Sequence, residues 1–208
     1  MFVIPDDLPI EVTPFAFLLG KWQGTGKIVT RESDESPAVE VGFVQTAEFT
    51  HDGQDTVTYV SQVKLEDGRV MPGEVGYWRL TRAAHESDAG PGLLPGKGER
   101  AIKTREDLET LRNPEGGFDI QVSMLHPGGV AELYHGKIKG ARIDLASYSG
   151  TAFDGAKTYR HSMRVYGLVN HNLMWAWDIA TRSAQTESHA SAELRKLDAP
   201  ADETAAAN

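Results

Sequence analysis

The chain has 208 residues, 40% of them apolar and 25% charged, which is enough for one full-sized core and short for two. A formal net charge of −9 leaves no basic stripe for phosphate, which argues against nucleic acid and against an anionic membrane surface as partners. With no cysteine, disulfides, thiolate catalysis and every cysteine-built metal site are excluded.

The opening MFVIPDDLPIEV has no basic n-region and no long apolar stretch, so it does not read as a signal peptide. No run reaches the roughly 18 apolar residues of a membrane span, and a cytoplasmic protein is the expectation. Residues 1–13 read as an irregular lead-in, and PFAFLLGKW at 14–22 as a helical turn running into the first strand. The glycines of GKWQGTG precede a strand, so they lack the helix N-terminus that lets such loops bind phosphate. Gly20, Gly24 and Gly26 are instead expected to relieve crowding where a strand bends or passes beneath a ligand, and Trp22 to plug the core.

Beyond this point the pattern has period two. In Val39–Phe43 apolar residues alternate with Glu40 and Gly42. After a long polar loop at 83–100, Phe118, Ile120, Val122 and Met124 alternate with Asp119, Gln121 and Ser123. Met163 and Val165 follow, then Leu173, Trp175, Trp177 and Ile179. Such alternation marks strands with one wet and one dry face. Hairpin chemistry separates them at 51–55, 66–69, 113–117, 126–129, 140–142, 153–157 and 170–172. The stretch HASAELRKL from His189 is expected to be the last strand, closing against the first. The tail from 198 to 208 is small, acidic and expected to be disordered.

Nine or ten strands in series, with no convincing helix of three turns, predict an all-β fold. Closure into an antiparallel up-and-down β-barrel removes its edges. Eight strands leave room only for side chains, so ten predict a lumen able to hold an apolar ligand.

Of the seven histidines, His51, His126 and His171 fall in predicted turns and His85 in the long loop; all four read as solvated. His135 and His161 lie on strands, with either face open to them. No pair shows HxH or HxxxH spacing, so a bare metal site is poorly supported. His189 differs by its place on the closing strand: a neutral imidazole is the usual protein ligand for haem iron, while spacing alone leaves a surface histidine as the commoner reading.

FLLGKWQGTG at 17–26 resembles the GxWxGxG signature (Gly20, Trp22, Gly24, Gly26) of the nitrobindins, which are haem-binding ten-stranded β-barrels. Reading on, the family's Tyr-Pro-Thr falls on Ile28, Val29 and Thr30, and only the threonine is kept. A second block, Met71 to Arg79, is similar to Met-His-x-Glu-x-Gly-Tyr-x-Arg, with Pro72 in place of the histidine. MRVYGL with LMWAWDIA is a third block, and the closing His-x-x-Ala-x-Leu matches His189, Ala192 and Leu194. The resemblance runs from 14 to about 197 and implies a lipocalin-like or fatty-acid-binding-protein-like barrel domain over those residues.

It implies one haem b per chain, with His189 as proximal axial ligand to the iron and Thr30 beside the cofactor. Nitric oxide binding at ferric haem and isomerisation of peroxynitrite to nitrate are the implied activities, and a homodimer is a candidate assembly. Val165 and Trp175 are expected in the cofactor's walls. Pro72 removes a distal-side imidazole that the family has available. A second reading is a binding barrel for a fatty acid or similar lipophilic molecule, whose carboxylate Arg79, Arg164 and Tyr166 would hold.

Overall fold

In the computed structural model, which describes residues 8–31, 36–90, 92–180 and 185–197, the alternating runs form ten strands closed into one barrel. They are β1 (Gly20–Thr30), β2 (Val39–His51), β3 (Thr56–Leu65), β4 (Val70–Leu80) and β5 (Phe118–His126). After them come β6 (Val130–Lys139), β7 (Arg142–Ala152), β8 (His161–Val169), β9 (Asn172–Ala180) and β10 (Glu187–Lys196). Each strand pairs antiparallel with its sequence neighbours, and β10 returns to β1 with Ile28 opposite Ala190 and Trp22 opposite Lys196. No helix is long and apolar enough to cross a membrane among the described residues. The acidic tail at 198–208 and the first seven residues lie outside the described residues.

The helical turn falls earlier than the sequence suggests, as a 3-10 helix over Ile10–Phe15 whose Val12 and Phe15 are fully buried. It plugs one end of the barrel, and Trp22 joins it there by donating its indole N–H to the Leu18 carbonyl at 2.6 Å. Trp22 is therefore the core plug expected of it. Phe49, Trp78, Tyr59 and Ile120 fill the lumen above, with Trp78 edge-on to Phe49 and Tyr59. One short helix, α1 (Arg105–Glu109), escapes the sequence reading; Thr104 and Asp107 cap it reciprocally.

The glycines of the first motif are explained by strand packing. A Cβ on Gly24 would stand 2.0 Å from the Glu193 carbonyl oxygen, and one on Gly26 2.4 Å from both the Ser191 oxygen and the Phe43 ring. These positions let β10 and the Phe43 ring close in on β1. On β8 the alternation runs opposite to expectation. Ser162, Arg164 and Tyr166 face the lumen at 2% exposure or less, while Met163 faces out. Polar side chains take the inner face because partners from other strands satisfy them inside.

Candidate functional site

Thr30, Leu65, His126, Ala152 and Ala180, the last residues of β1, β3, β5, β7 and β9, lie at the end opposite the 3-10 helix and form the barrel's mouth. His189 sits there, third in β10. Ser188 pairs with Asp178 and Ala190 with Trp177, so His189 is the extra residue of a β-bulge. The bulge re-aims the imidazole to the side of buried Ala190, against the lumen-facing indole of Trp177. Burial lowers the His189 pKa from its ordinary value, and the Arg164 charge lowers it further, so the ring stays neutral with a lone pair to offer. Neither ring nitrogen has a hydrogen-bond partner recorded among the described residues.

Facing it is a polar cluster. Arg164 makes a two-pronged ion pair with Glu74 at 2.9 and 2.6 Å, and its guanidinium lies 3.8 Å over the Trp177 ring. Its Nε donates to the Tyr134 hydroxyl at 3.2 Å. Burial pushes the Glu74 carboxyl up, but Arg164 outweighs it and leaves the pKa below the usual value. Glu132 is likewise pushed up by burial and brought below its usual value by its donors, His126, Tyr159 and Tyr134. All three meet one carboxylate oxygen, His126 Nε2 at 2.9 Å and Tyr134 Oη at 2.9 Å.

His126 therefore corrects the sequence reading. It is not solvated: its side chain is 15% exposed, lies 3.5 Å from Glu74 and stacks on Trp177 at 6.0 Å. Its position continues the inward stripe of Phe118, Ile120, Val122 and Met124, and that parity is the signal by which it was detectable. The other strand histidines turn away: His135 is exposed and packs on Tyr148 at 4.7 Å. His161 sits next to inward Ser162 on the opposite face.

Thr30 ends β1 at the mouth, on the same face as Trp22, Gly24 and Gly26, and is exposed with its hydroxyl 3.4 Å from the Val39 carbonyl. Gly20, Trp22, Gly24 and Gly26 lie toward the plugged end and along the β1–β10 seam, away from His189. Trp175 faces the lumen, donating to Gln45 at 2.7 Å and stacking on Phe43. Val165, contrary to expectation, points outward and does not line the lumen, because the inner face of β8 belongs to Arg164 and Tyr166. Pro72 is exposed at a bulge between β3 and β4, where its missing N–H breaks no ladder pair. The lipid reading loses its anchor: Arg164 is committed to Glu74, Tyr166 is buried, and Arg79 alternates with inward Trp78 and Leu80.

Among the described residues no group of three or more His, Asp or Glu is arranged to hold a bare metal ion. A single neutral imidazole suits a metal whose remaining ligands come from a macrocycle, as in haem. Lumen-facing Ile28, Val41, Val63 and Met71 are only partly buried and offer an apolar surface. Beside His189 the Trp177 indole nitrogen is buried without a hydrogen-bond partner among the described residues. The residues present fit a haem. A cleft of about 910 Å³ along β1, β10, β9 and β8 touches neither His189 nor Thr30, so ligand chemistry and not volume locates the site.

Residues 11–196 match the family model described as "THAP4-like, heme-binding beta-barrel domain". The chain is 46% identical over 200 residues to a protein named peroxynitrite isomerase from Leifsonia xyli subsp. xyli (strain CTCB07), covering 95% of this chain and 100% of that one. It is 45% identical, with the same coverage, to a peroxynitrite isomerase of Clavibacter michiganensis subsp. michiganensis (strain NCPPB 382). The crystal structure of Rv2717c from M. tuberculosis superposes with a TM-score of 0.62 at 18% identity, over 94% of this chain and 100% of that chain. That likeness concerns the fold.

Proposed function

The chain belongs to the family of THAP4-like, heme-binding beta-barrel domains, and from that premise we propose that it is a haem protein that isomerises peroxynitrite to nitrate. The finer reading is one haem b per chain, held by His189 as proximal ligand with Thr30 at the cofactor's edge. The observation that carries it is the neutral, lumen-facing imidazole of His189 on its bulge, its nitrogens without a hydrogen-bond partner among the described residues.

When bound, a ferric haem would supply a Lewis-acidic iron able to promote the rearrangement of peroxynitrite to nitrate. The chain's own residues do the rest. His189 offers its lone pair, and the β10 bulge aims it inward. Ile28, Val41, Val63 and Met71 present an apolar surface that would keep water from a bound cofactor. Glu74 and Glu132 hold Arg164 and His126 in place, fixing the polar side of the mouth. A haem held by these residues would also bind nitric oxide. We place the protein in the cytoplasm, with a homodimer as the candidate assembly.

Stopped-flow mixing of peroxynitrite with haem-loaded protein tests this reading. The expected result is decay accelerated in proportion to haem content, with the nitrate share of products raised and both effects lost in His189→Ala. Decay equal to that of buffer would overturn it.

A further inference from the structure

Tyr159 lies in the loop between β7 and β8, half-buried at the mouth. Its hydroxyl donates to Glu132, and its ring stands edge-on to Trp177 with centroids 5.9 Å apart. The other edge contact of Trp177 is His189, at 4.9 Å. Three rings thus run in contact from the iron-ligand position to a phenol whose proton already points at a carboxylate. Taking an electron from a phenol is easier when its proton has somewhere to go at the same moment.

We infer that Tyr159 is the pocket's radical trap: the residue oxidised and nitrated when nitrogen dioxide escapes recombination, with Glu132 accepting its proton. This rests on the peroxynitrite reading above, which supplies the oxidant. In the first step nitrogen dioxide takes one electron from the Tyr159 phenol and becomes nitrite, while the phenolic proton passes to Glu132. In the second, another nitrogen dioxide radical bonds to the ring carbon next to the oxygen-bearing one. That carbon then loses its proton, giving 3-nitrotyrosine. Two radicals are consumed, one leaving as nitrite and one retained as the nitro group.

Geometry sets Tyr159 apart from the other tyrosines. Tyr59, Tyr134 and Tyr166 are at most 2% exposed, and a close-packed interior has no room for an added nitro group. Tyr148 and Tyr77 are 71% and 50% exposed but have no carboxylate acceptor among the described residues. Glu132 is ionised and ready, since its three donors hold its carboxyl below the usual range. Radicals released in bulk water should find Tyr148 and Tyr77 first; radicals released inside the barrel should find Tyr159.

The test is a peptide map for nitrotyrosine after a measured dose of peroxynitrite, on haem-loaded and haem-free protein, with the Soret band recorded on the same samples. In the loaded protein Tyr159 should be nitrated several-fold more than Tyr148 or Tyr77, and in the haem-free protein the order should reverse. Glu132→Gln should bring Tyr159 down to the level of the exposed tyrosines, and Tyr159→Phe should remove the modified peptide. A Soret band with nitration following exposure in both samples would overturn the trap alone. Absence of a Soret band would overturn the haem reading and this inference with it.

Discussion

The imidazole of His189 stands edge-on to the indole of Trp177, with ring centroids 4.9 Å apart and ring planes at 86°. The same indole carries Arg164 over its face and His126 beside it, and its own N–H is buried without a partner among the described residues. A buried donor left unpaired costs about 1–3 kcal/mol, which ring packing and the Arg164 cation over the indole face must offset. The indole lies directly against His189 and would have to shift for a planar ligand to seat on that residue.

Trp177→Ala should therefore cost stability, by about 2 kcal/mol for a half-buried aromatic, yet speed cofactor capture. Stopped-flow haemin binding should show an association rate several-fold above wild type. An equal or slower rate would mean that the indole does not stand in the cofactor's way.

The ion pair between Arg164 and Glu74 is almost fully enclosed, with side chains 2% and 12% exposed. Removing one partner strands the other, at a cost of about 3–5 kcal/mol. Arg164→Met should lower the urea midpoint sharply, while Arg164→Met with Glu74→Gln should recover much of the loss. Equal loss in both would show that packing, not charge compensation, holds that side of the mouth.

At the plugged end Arg82 gathers Glu11 at 2.9 Å, Asp55 at 3.0 Å and Asp88 at 2.5 Å, tying the 83–100 loop to the 3-10 helix. The hydrogen bonds from Arg82 lower the Asp88 pKa from 3.8 to about 2. A depressed carboxylate contributes stability that is fully present above 3.8 and lost as pH falls toward 2. Glu11 works the other way: burial raises its pKa, so acid relieves it. Comparing wild type with Asp88→Asn isolates the Asp88 share, and the gap should be about 2 kcal/mol at pH 7 and close as pH nears the lower value. A gap independent of pH would contradict the assignment.

Gly24→Ala should disrupt barrel closure, because its Cβ would lie 2.0 Å from a backbone oxygen of β10 that cannot swing away. A thermal melt should show a fall of about 6–12 °C, from a cost of about 3 kcal/mol. At Gly53 a Cβ meets nothing within 4 Å, so Gly53→Ala, strained only by its φ of 84°, should fall far less.

The barrel is legible in the sequence because inward positions repeat every second residue and short Gly, Asp and Asn turns separate the strands. Two features mislead. His126 lies on the inward stripe of β5, but the HPGG that it opens reads as a solvated turn, and the partners that draw it inside, Glu132 and Glu74, come from other strands. On β8 the hydrophobicity of Met163 and Val165 points to the wrong face, because a buried arginine is stable only with partners that chain-local patterning cannot reveal. α1 is too short for a helical period to register. The placement of His189 on the closing strand is legible; the bulge that turns it inward is not, since a bulge is a property of two paired strands.

A haemin titration of the purified protein, followed at the Soret band for wild type, His189→Ala and His161→Ala, probes the haem site most directly. Saturation at one haem per chain, abolished by His189→Ala and untouched by His161→Ala, is the predicted result. An unchanged band and affinity in His189→Ala would contradict the assignment of His189 as the iron ligand.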